Sequence, residues 1–412
     1  MRSALIATWT LLFGMALLML GAGLQGTLVG LRASLEGFPT FVAGFVMAAY
    51  YLGYLGGSVV APRLVSSVGH VRVFAALTSL ASVMILAQGA IVDPVTWTLL
   101  RVGSGFCFAG IYVVAESWLN DRATNENRGQ LLALYMVICY AGLGGGQLLL
   151  NVADPRSTLL FILVSVLISV ALVPMALTAG PAPEFHVPQR VGMRELYRVS
   201  PLGVVGVATA GAVSGSLFAL GAIYGADQGM TTWKVSFFMA VAILAAAVTQ
   251  LPVGRLSDRV DRRKILALVC ILGAASAAAA LFATGRSTSG FLVAVAAFGG
   301  LSLTLYSLSL AHANDYLTPQ QMVGASSTLI LVNGAGAFVG PLIVSALMQA
   351  FDSRAFFAML VAMQLALALF ALYRMTRRAA IPVEQKTPYV GTPPGTNSSG
   401  EMVGHATEEI VP

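Results

Sequence analysis

The chain has 412 residues, 57% of them hydrophobic and only 10% charged, whereas a soluble domain carries about 25% charged residues. So little polar surface cannot cover a water-soluble globule of this length, which makes lipid the solvent for most of the chain. The net charge of +6 is not a nucleic-acid footprint, because only Lys234, Lys264 and Lys386 are lysines and the arginines gather in a few loops, as the positive-inside rule expects of an integral membrane protein.

Met1-Arg2-Ser3 before an apolar run looks at first like a signal peptide. The run continues to about Leu31 with no small-residue cleavage site, so it reads as a retained first membrane helix. About 20 apolar residues cross the hydrocarbon core. By that measure twelve spans are predicted, at 5–31, 41–62, 72–92, 97–118, 129–150, 157–178, 201–224, 234–254, 264–284, 289–311, 324–349 and 354–375. Between the sixth and seventh lies a polar stretch, Gly180 to Ser200, with three prolines and Arg190, Arg194 and Arg198. It divides an N-terminal six-helix half (1–179) from a C-terminal one (201–378), with 180–200 as a cytoplasmic linker. Residues 379–412 are rich in Pro, Gly, Thr and Ser and poor in apolar anchors, the composition of a disordered tail. Cys107, Cys139 and Cys270 all fall inside apolar runs and read as packing residues. No metal spacing is present, and no cofactor is expected.

Alternate loops and both ends hold 17 of the Lys and Arg residues, and the opposite loops hold 5. Both termini should therefore be cytoplasmic, in a bacterial inner membrane. The two halves also align. At an offset of 192, Gly23 meets Gly215, Gly37 meets Gly229, Met47 meets Met239 and Leu64 meets Leu256. At 194, Gly105 meets Gly299, Tyr112 meets Tyr306, Asn120-Asp121 meets Asn314-Asp315, Gly142 meets Gly336 and Gly146 meets Gly340. The expected fold is an all-α membrane protein of twelve helices in two pseudo-symmetric six-helix bundles, with a cavity at their interface near mid-membrane.

The twelve-span duplicated layout and the loop Gly254-Arg255-Leu256-Ser257-Asp258-Arg259, trailed by Arg262-Arg263-Lys264, resemble the major facilitator superfamily. Arg101-Val-Gly-Ser-Gly105 in the fourth span adds to the resemblance. Val113-Val114-Ala115-Glu116-Ser117, Asn127 to Ala133, Gly146 to Leu149 and Thr304-Leu305-Tyr306 are similar to its YcaD-like branch. The resemblance implies a secondary transporter and gives the Asp258 loop a gating role. Asp258 can accept bonds from the amides of a neighbouring helix N-terminus, while Arg255, Arg259 and Arg262 reach carboxylates or carbonyls across the half-to-half seam. The first-half copy has Ser66 and Ser67 at the Asp258 and Arg259 positions. Its latch should be weaker and rest on Arg63, Arg72 and Glu116 or Asp121.

Arg101 and Glu116 are the ionisable residues most clearly inside spans, where a charge is costly and usually faces an aqueous cavity or the bundle interior. They are about 22 Å apart along one helix and within about 60° of the same face, with Tyr112 a turn before Glu116. The family resemblance ties Arg101 to proton coupling. Glu116 is a candidate proton carrier, or else a partner of Arg63, Arg72 or Arg122. The resemblance also places the first, fourth, seventh and tenth spans on the cavity, which makes Gln25, Tyr112, Tyr224 and Tyr306 substrate contacts; the alternative for each is an interhelical hydrogen bond. Gly142, Gly146, Gly336 and Gly340 permit close helix approach and Pro341 bends the eleventh span. Gly146-Gln147 departs from the family's fifth-span Gly-Pro pair, which argues against drug–proton antiport.

The reading is a non-enzymatic secondary active transporter, expected to be monomeric. It would move a small organic solute by alternating access, with protons as the coupling ion and the lipid bilayer as its other partner. The alternative is a transport-inactive scaffold or sensor that keeps the fold. An ATP-driven pump is excluded for this chain alone, since no lysine stands in a Gly-x-x-x-x-Gly-Lys-Ser/Thr loop.

Overall fold

The computed structural model describes residues 2–122, 128–176 and 191–392. Among these, every regular element is helical. The helices are α1 (Arg2–Leu35), α2 (Thr40–Val68), α3 (His70–Ala90), α4 (Pro94–Arg122), α5 (Arg128–Leu148), α6 (Leu159–Ala176), α7 (Met193–Val199), α8 (Pro201–Asp227), α9 (Thr232–Arg259), α10 (Arg262–Ala283), α11 (Thr288–Ser302), α12 (Leu305–Asn314), α13 (Pro319–Ala350) and α14 (Ala355–Arg377). Twelve segments are long and apolar enough to cross a membrane, one for each span expected from the sequence. With no water in the hydrocarbon, helices satisfy every backbone group internally, which is why apolar runs of this length fold as helices.

The described residues fall into two compact units. One holds residues 2–122 and 128–176 with 218–240, and the other holds 191–217 with 241–392. The boundary therefore differs from a simple cut at the linker, since the end of α8 and the start of α9 group with the first unit. In the first unit α2 packs on α4, α1 on α5 and α6, and α3 on α4 and α6. In the second, α10 packs on α11 and α14.

The repeat seen in the sequence has a structural cause at each glycine pair. Gly37 (φ 77°) and Gly229 (φ 66°) take the left-handed conformation just past the ends of α1 and α8. Their neighbourhoods make the same pair of bonds: Gly37 N to Ser34 O at 3.1 Å and Phe38 N to Ala33 O at 3.0 Å, then Gly229 N to Ala226 O and Met230 N to Gly225 O, both at 2.9 Å. This is the Schellman ending, whose left-handed residue is most easily one without a Cβ. The remaining pairs are close helix approaches. A Cβ on Gly146 would overlap Leu20 O, and one on Gly340 would meet Ala212 O. Gly23 and Gly215 likewise face Leu143 O and Ala337 O, and Gly105 and Gly299 face Tyr50 O and Ala242 O. The partner residues themselves obey the 192 or 194 offset, so each half has the same helix-to-helix seams. Gly142 and Gly336 meet Met19 and Ala208 in these seams, as small residues at a membrane helix interface should. Pro341 lies inside α13, which continues unbroken from Pro319 to Ala350.

The tenth span differs from the single helix expected. It is two helices, α11 and α12, separated at Leu303-Thr304. Thr304 N turns back to Leu301 O at 3.3 Å, a tight turn in place of the regular bond. Around it, Thr249 Oγ1 donates to Gly300 O, and Gln364 Nε2 donates to Ser302 Oγ at 3.0 Å. Side-chain partners of this kind make an interrupted helix tolerable at membrane depth.

Candidate functional site

In the first unit, α4 carries a polar and aromatic stripe at helical spacing. Arg101 is 5% exposed, and its Nε has no hydrogen-bond partner among the described residues. Its guanidinium lies 4.6 Å from the centre of the Tyr50 ring on α2. Cation–π attraction is thus its main compensation, and such contacts strengthen when desolvated. From Tyr50 an aromatic series continues through Phe108 (6.3 Å), Tyr54 (6.2 Å) and Tyr112, which is 6.4 Å from both Phe108 and Tyr54. Tyr112 is buried and its hydroxyl points at Met19 Sδ on α1, 3.5 Å away. One turn on, Glu116 is 7% exposed and accepts a 3.4 Å bond from Tyr135 of α5. The ring series from α2 and α4 thus links Arg101 to Tyr112, while Glu116, one turn further on α4, is held by Tyr135 of α5. A short-range pair between Arg101 and Glu116 was not expected, and none forms.

Gln25 is buried on α1 with its Nε2 unpartnered. Two residues later Thr27 donates to Gln147 of α5, so the glutamine that replaces the family's proline joins α1 to α5. Tyr224 is fully buried in the first unit. In the second, Tyr306 sits just past the α11–α12 break and packs against two apolar clusters.

The Asp258 loop has a different set of partners from those expected. Arg262 is 1% exposed at the start of α10. Its Nη2 reaches Asp258 at 2.7 Å and its Nη1 reaches Asp315 at 3.1 Å. Asp258 also accepts Tyr389 N at 3.1 Å, in place of the helix N-terminus that the sequence suggested. Arg255 and Arg259 are exposed, with no carboxylate partner among the described residues, and Arg63 and Arg72 are likewise exposed in the first half. Burial raises the Asp315 carboxyl above the usual range, against the pull of Arg262 and of the Thr387 hydrogen bonds. Burial also pushes Asp261 upward, but hydrogen bonds from Arg263 outweigh it and the carboxyl ends below its ordinary value.

Tyr389 belongs to the segment for which composition predicted disorder. Of that stretch, residues 393–412 lie outside the described residues. Lys386 to Thr392, by contrast, form an extended strap along α9 and α12. Lys386 Nζ donates to Ser257 O (3.1 Å) and Val260 O (2.5 Å) at the end of α9. Thr387 donates its N–H and hydroxyl to Asp315, both at 3.0 Å, and gives its carbonyl to Arg262 at 2.8 Å. Thr392 is 2% exposed and bonds Ser307 Oγ at 2.7 Å, while its carbonyl accepts from Gln250. A Cβ on Gly254 would overlap the Tyr389 ring, so the loop's leading glycine is what seats the strap.

Three residues here escaped the sequence reading. Tyr135 lacked any local signal. Asp315 was visible as half of the Asn-Asp repeat. His70 stands at the 192 offset from Arg262 and is itself 1% exposed, bonded through Nε2 to Ser117 Oγ at 2.9 Å. The first half therefore has Ser66 and His70 where the second has Asp258 and Arg262.

The model of the Major Facilitator Superfamily matches residues 11–248 and 202–397. Among curated proteins, the chain is 29% identical over 375 residues to the uncharacterized MFS-type transporter YcaD of Escherichia fergusonii, covering 90% of this chain and 97% of that one. It is 30% identical over 394 residues to the uncharacterized MFS-type transporter YE1530 of Yersinia enterocolitica, covering 92% and 97%. Among solved structures, the nucleoside transporter NupG superposes with a TM-score of 0.73 at 11% identity, covering 90% of this chain and 100% of that one. A bacterial homolog of the human lysosomal transporter Spinster, inward-facing and occupied, gives 0.70 at 15% identity, covering 92% and 98%; at these identities the likeness is one of fold. Twelve spans, a duplicated set of helix seams and a family match over almost the whole chain agree, and the chain belongs to the Major Facilitator Superfamily of membrane transporters.

Proposed function

We propose that the protein is a secondary active transporter that carries a small organic solute by alternating access, coupled to protons. Both termini are cytoplasmic, in a bacterial inner membrane. The observation that carries this reading is Arg101. A guanidinium buried at membrane depth is costly, and this one has an aromatic face but no carboxylate within ion-pair distance among the described residues. A structural arginine would be neutralised within the fold. An arginine kept without a counter-ion beside Tyr50, Tyr54, Phe108 and Tyr112 suits a solute with an apolar body and at most one negative charge.

Glu116 is the proton carrier in this reading. It is buried one turn after Tyr112 and accepts a hydrogen bond from Tyr135, so a change of access around it would change the cost of its charge. Gln25 and Tyr224 in the first unit, and Tyr306 beside the α11–α12 break, are proposed solute contacts. The Asp258–Arg262 cluster is the proposed gating element, with Gly254 and Arg255 as part of its loop.

The test is a thermal-shift screen of the purified chain against metabolites and drugs, followed by counterflow in proteoliposomes with each hit. A hit lost in Arg101→Ala and retained in Arg286→Ala places the site. A hit that survives changes at Arg101, Glu116 and Tyr306 alike would sink the assignment. Proton coupling requires in addition that Glu116→Gln still exchanges solute but no longer acidifies or alkalises the lumen.

A further inference from the structure

Away from the transport stripe, one end of the second unit holds a cleft lined by Val199, Ser200, Pro201, Arg263, His312, Tyr316, Arg374 and Arg378. Four elements converge there: the start of α8, the first turn of α10, the end of α12 and the last turn of α14. The charge is one-sided. Arg263 is cancelled by Asp261, which it binds at 2.8 Å. Arg374 and Arg378 have no carboxylate partner among the described residues. Arg378 is held in place instead, stacked 4.0 Å over the Tyr316 ring, with Nη1 on Val199 O at 2.9 Å and its own carbonyl accepting Arg263 Nη1 at 2.7 Å.

The floor of the cleft is the N-terminus of α8. Ser200 stands at the N-cap position and is 1% exposed, yet its Oγ has no hydrogen-bond partner among the described residues. Pro201 opens the helix without an N–H, and the amides of Leu202 and Gly203 have no acceptor within it. A buried hydroxyl left unpaired costs free energy, and here it lies beside two uncompensated arginines and the positive end of a helix dipole. The cleft is open to solvent, so a group bound there need not be fully enclosed and can keep a larger body outside. Leu369, Leu372 and Tyr373 on α14 are exposed nearby, as lipid-facing residues of a span should be.

We propose that this cleft is a phosphate-binding site. Arg374 and Arg378 supply charge-assisted bonds, and Ser200 Oγ with the first amides of α8 supplies the neutral donors. The apolar flank of α14 makes an anionic phospholipid headgroup the expected source of the phosphate, with free phosphate as the other source. The site is separate from the solute-binding stripe and does not depend on it.

The experiment uses the full chain, delipidated in detergent and mixed with equal amounts of phosphatidylglycerol and phosphatidylcholine. Retained lipid is counted by native mass spectrometry. Wild type should retain phosphatidylglycerol in preference, and the preference should fall roughly fivefold for each arginine neutralised in Arg374→Gln and Arg374→Gln/Arg378→Gln. Arg286→Gln, at an exposed loop residue outside the cleft, should behave as wild type, and Arg374→Lys should retain part of the preference. In a parallel arm, inorganic phosphate is added in phosphatidylcholine alone and thermal unfolding is recorded. A thermal shift abolished by the double variant, with no lipid preference, would assign the site to free phosphate. A double variant that keeps the wild-type lipid preference, or a wild type with neither preference nor shift, overturns the proposal.

Discussion

Replacing Arg262 by methionine tests whether the second-half cluster is held by its cation. Arg262 is 1% exposed and bridges Asp258 and Asp315, whose side chains are 38% and 3% exposed. The two ends of the bridge should therefore differ in value. The Asp258 contact resembles a surface ion pair, worth about 0–1 kcal/mol. The Asp315 contact is buried, and removing one partner of a buried pair costs about 3–5 kcal/mol. The Thr387 N–H and hydroxyl still solvate Asp315 at 3.0 Å, which favours the lower figure. Arg262→Met should thus lose about 3 kcal/mol of local stability and Asp258→Asn about 1 kcal/mol or less. Hydrogen exchange at residues 256–266 and 386–390 reads this difference as local opening, at least tenfold faster in Arg262→Met than in Asp258→Asn. The sign with pH follows from Asp315. Its folded carboxyl is already raised, so the folded state binds the proton more readily than the unfolded state and stability falls as pH rises through that window. Loss of Arg262 raises it further, so the penalty should be smaller in acid, where Asp315 is neutral, than at pH 8. Lys386 and Asp261, which also act on Asp315 or its neighbours, stay constant in the comparison. Arg262→Met/Asp315→Leu should recover much of the loss. Equal exchange in the two single variants, or a penalty that grows in acid, would refute the reasoning.

Three further outcomes are expected. Gly146→Val and Gly340→Val each drive a side chain into a facing backbone carbonyl, so each should cost more than the ~1–3 kcal/mol of ordinary overpacking and lower the melting temperature; a tolerant Gly340→Val would show that α8 and α13 can separate. Gly254→Val should expel Tyr389, read as faster maleimide labelling of a Thr392→Cys reporter by at least tenfold, since Thr392 is 2% exposed and the native cysteines are buried and release of a few hydrogen bonds of about 1 kcal/mol each suffices. Unchanged labelling would mean the strap does not depend on that glycine. In the transport assay, Asp258→Asn should impair flux more than Ser66→Ala, because only the former breaks an ion pair; equal effects would contradict the proposed asymmetry of the gate.

Much of the fold was legible because membrane helices obey a length rule and a repeat must preserve its seams. Gly146 and Gly340 match in sequence because both must let a backbone pass, and Gly37 and Gly229 match because both end a helix in a conformation that a Cβ disfavours. The break between α11 and α12 was not legible, since Leu303-Thr304 sits in an unbroken apolar run and what permits it, Thr249 and Gln364, comes from other helices. The same holds for Tyr135 and Glu116, whose bond joins residues of two spans. Composition pointed the wrong way for Lys386–Thr392. Few apolar residues predict disorder when burial in a core is the only source of order, but this segment is ordered by polar partners waiting on another surface.

Those polar partners also set the two halves apart. A buried arginine between two carboxylates is unfavourable unless its remaining donors and the carboxylates' remaining lone pairs are filled. In the second half the strap fills most of them, leaving Arg262 Nε unpartnered among the described residues: Thr387 serves Asp315 and Arg262 together, and Tyr389 N serves Asp258. The first half has Ser66 in place of Asp258 and His70 in place of Arg262, and His70 bonds Ser117 while facing the charge of Asp121, which stands at the repeat position of Asp315. Replacing His70 by Arg would therefore put a guanidinium at a position only 1% exposed, with all its donors to be filled, whereas Asp at the exposed position 66 would add a solvated charge.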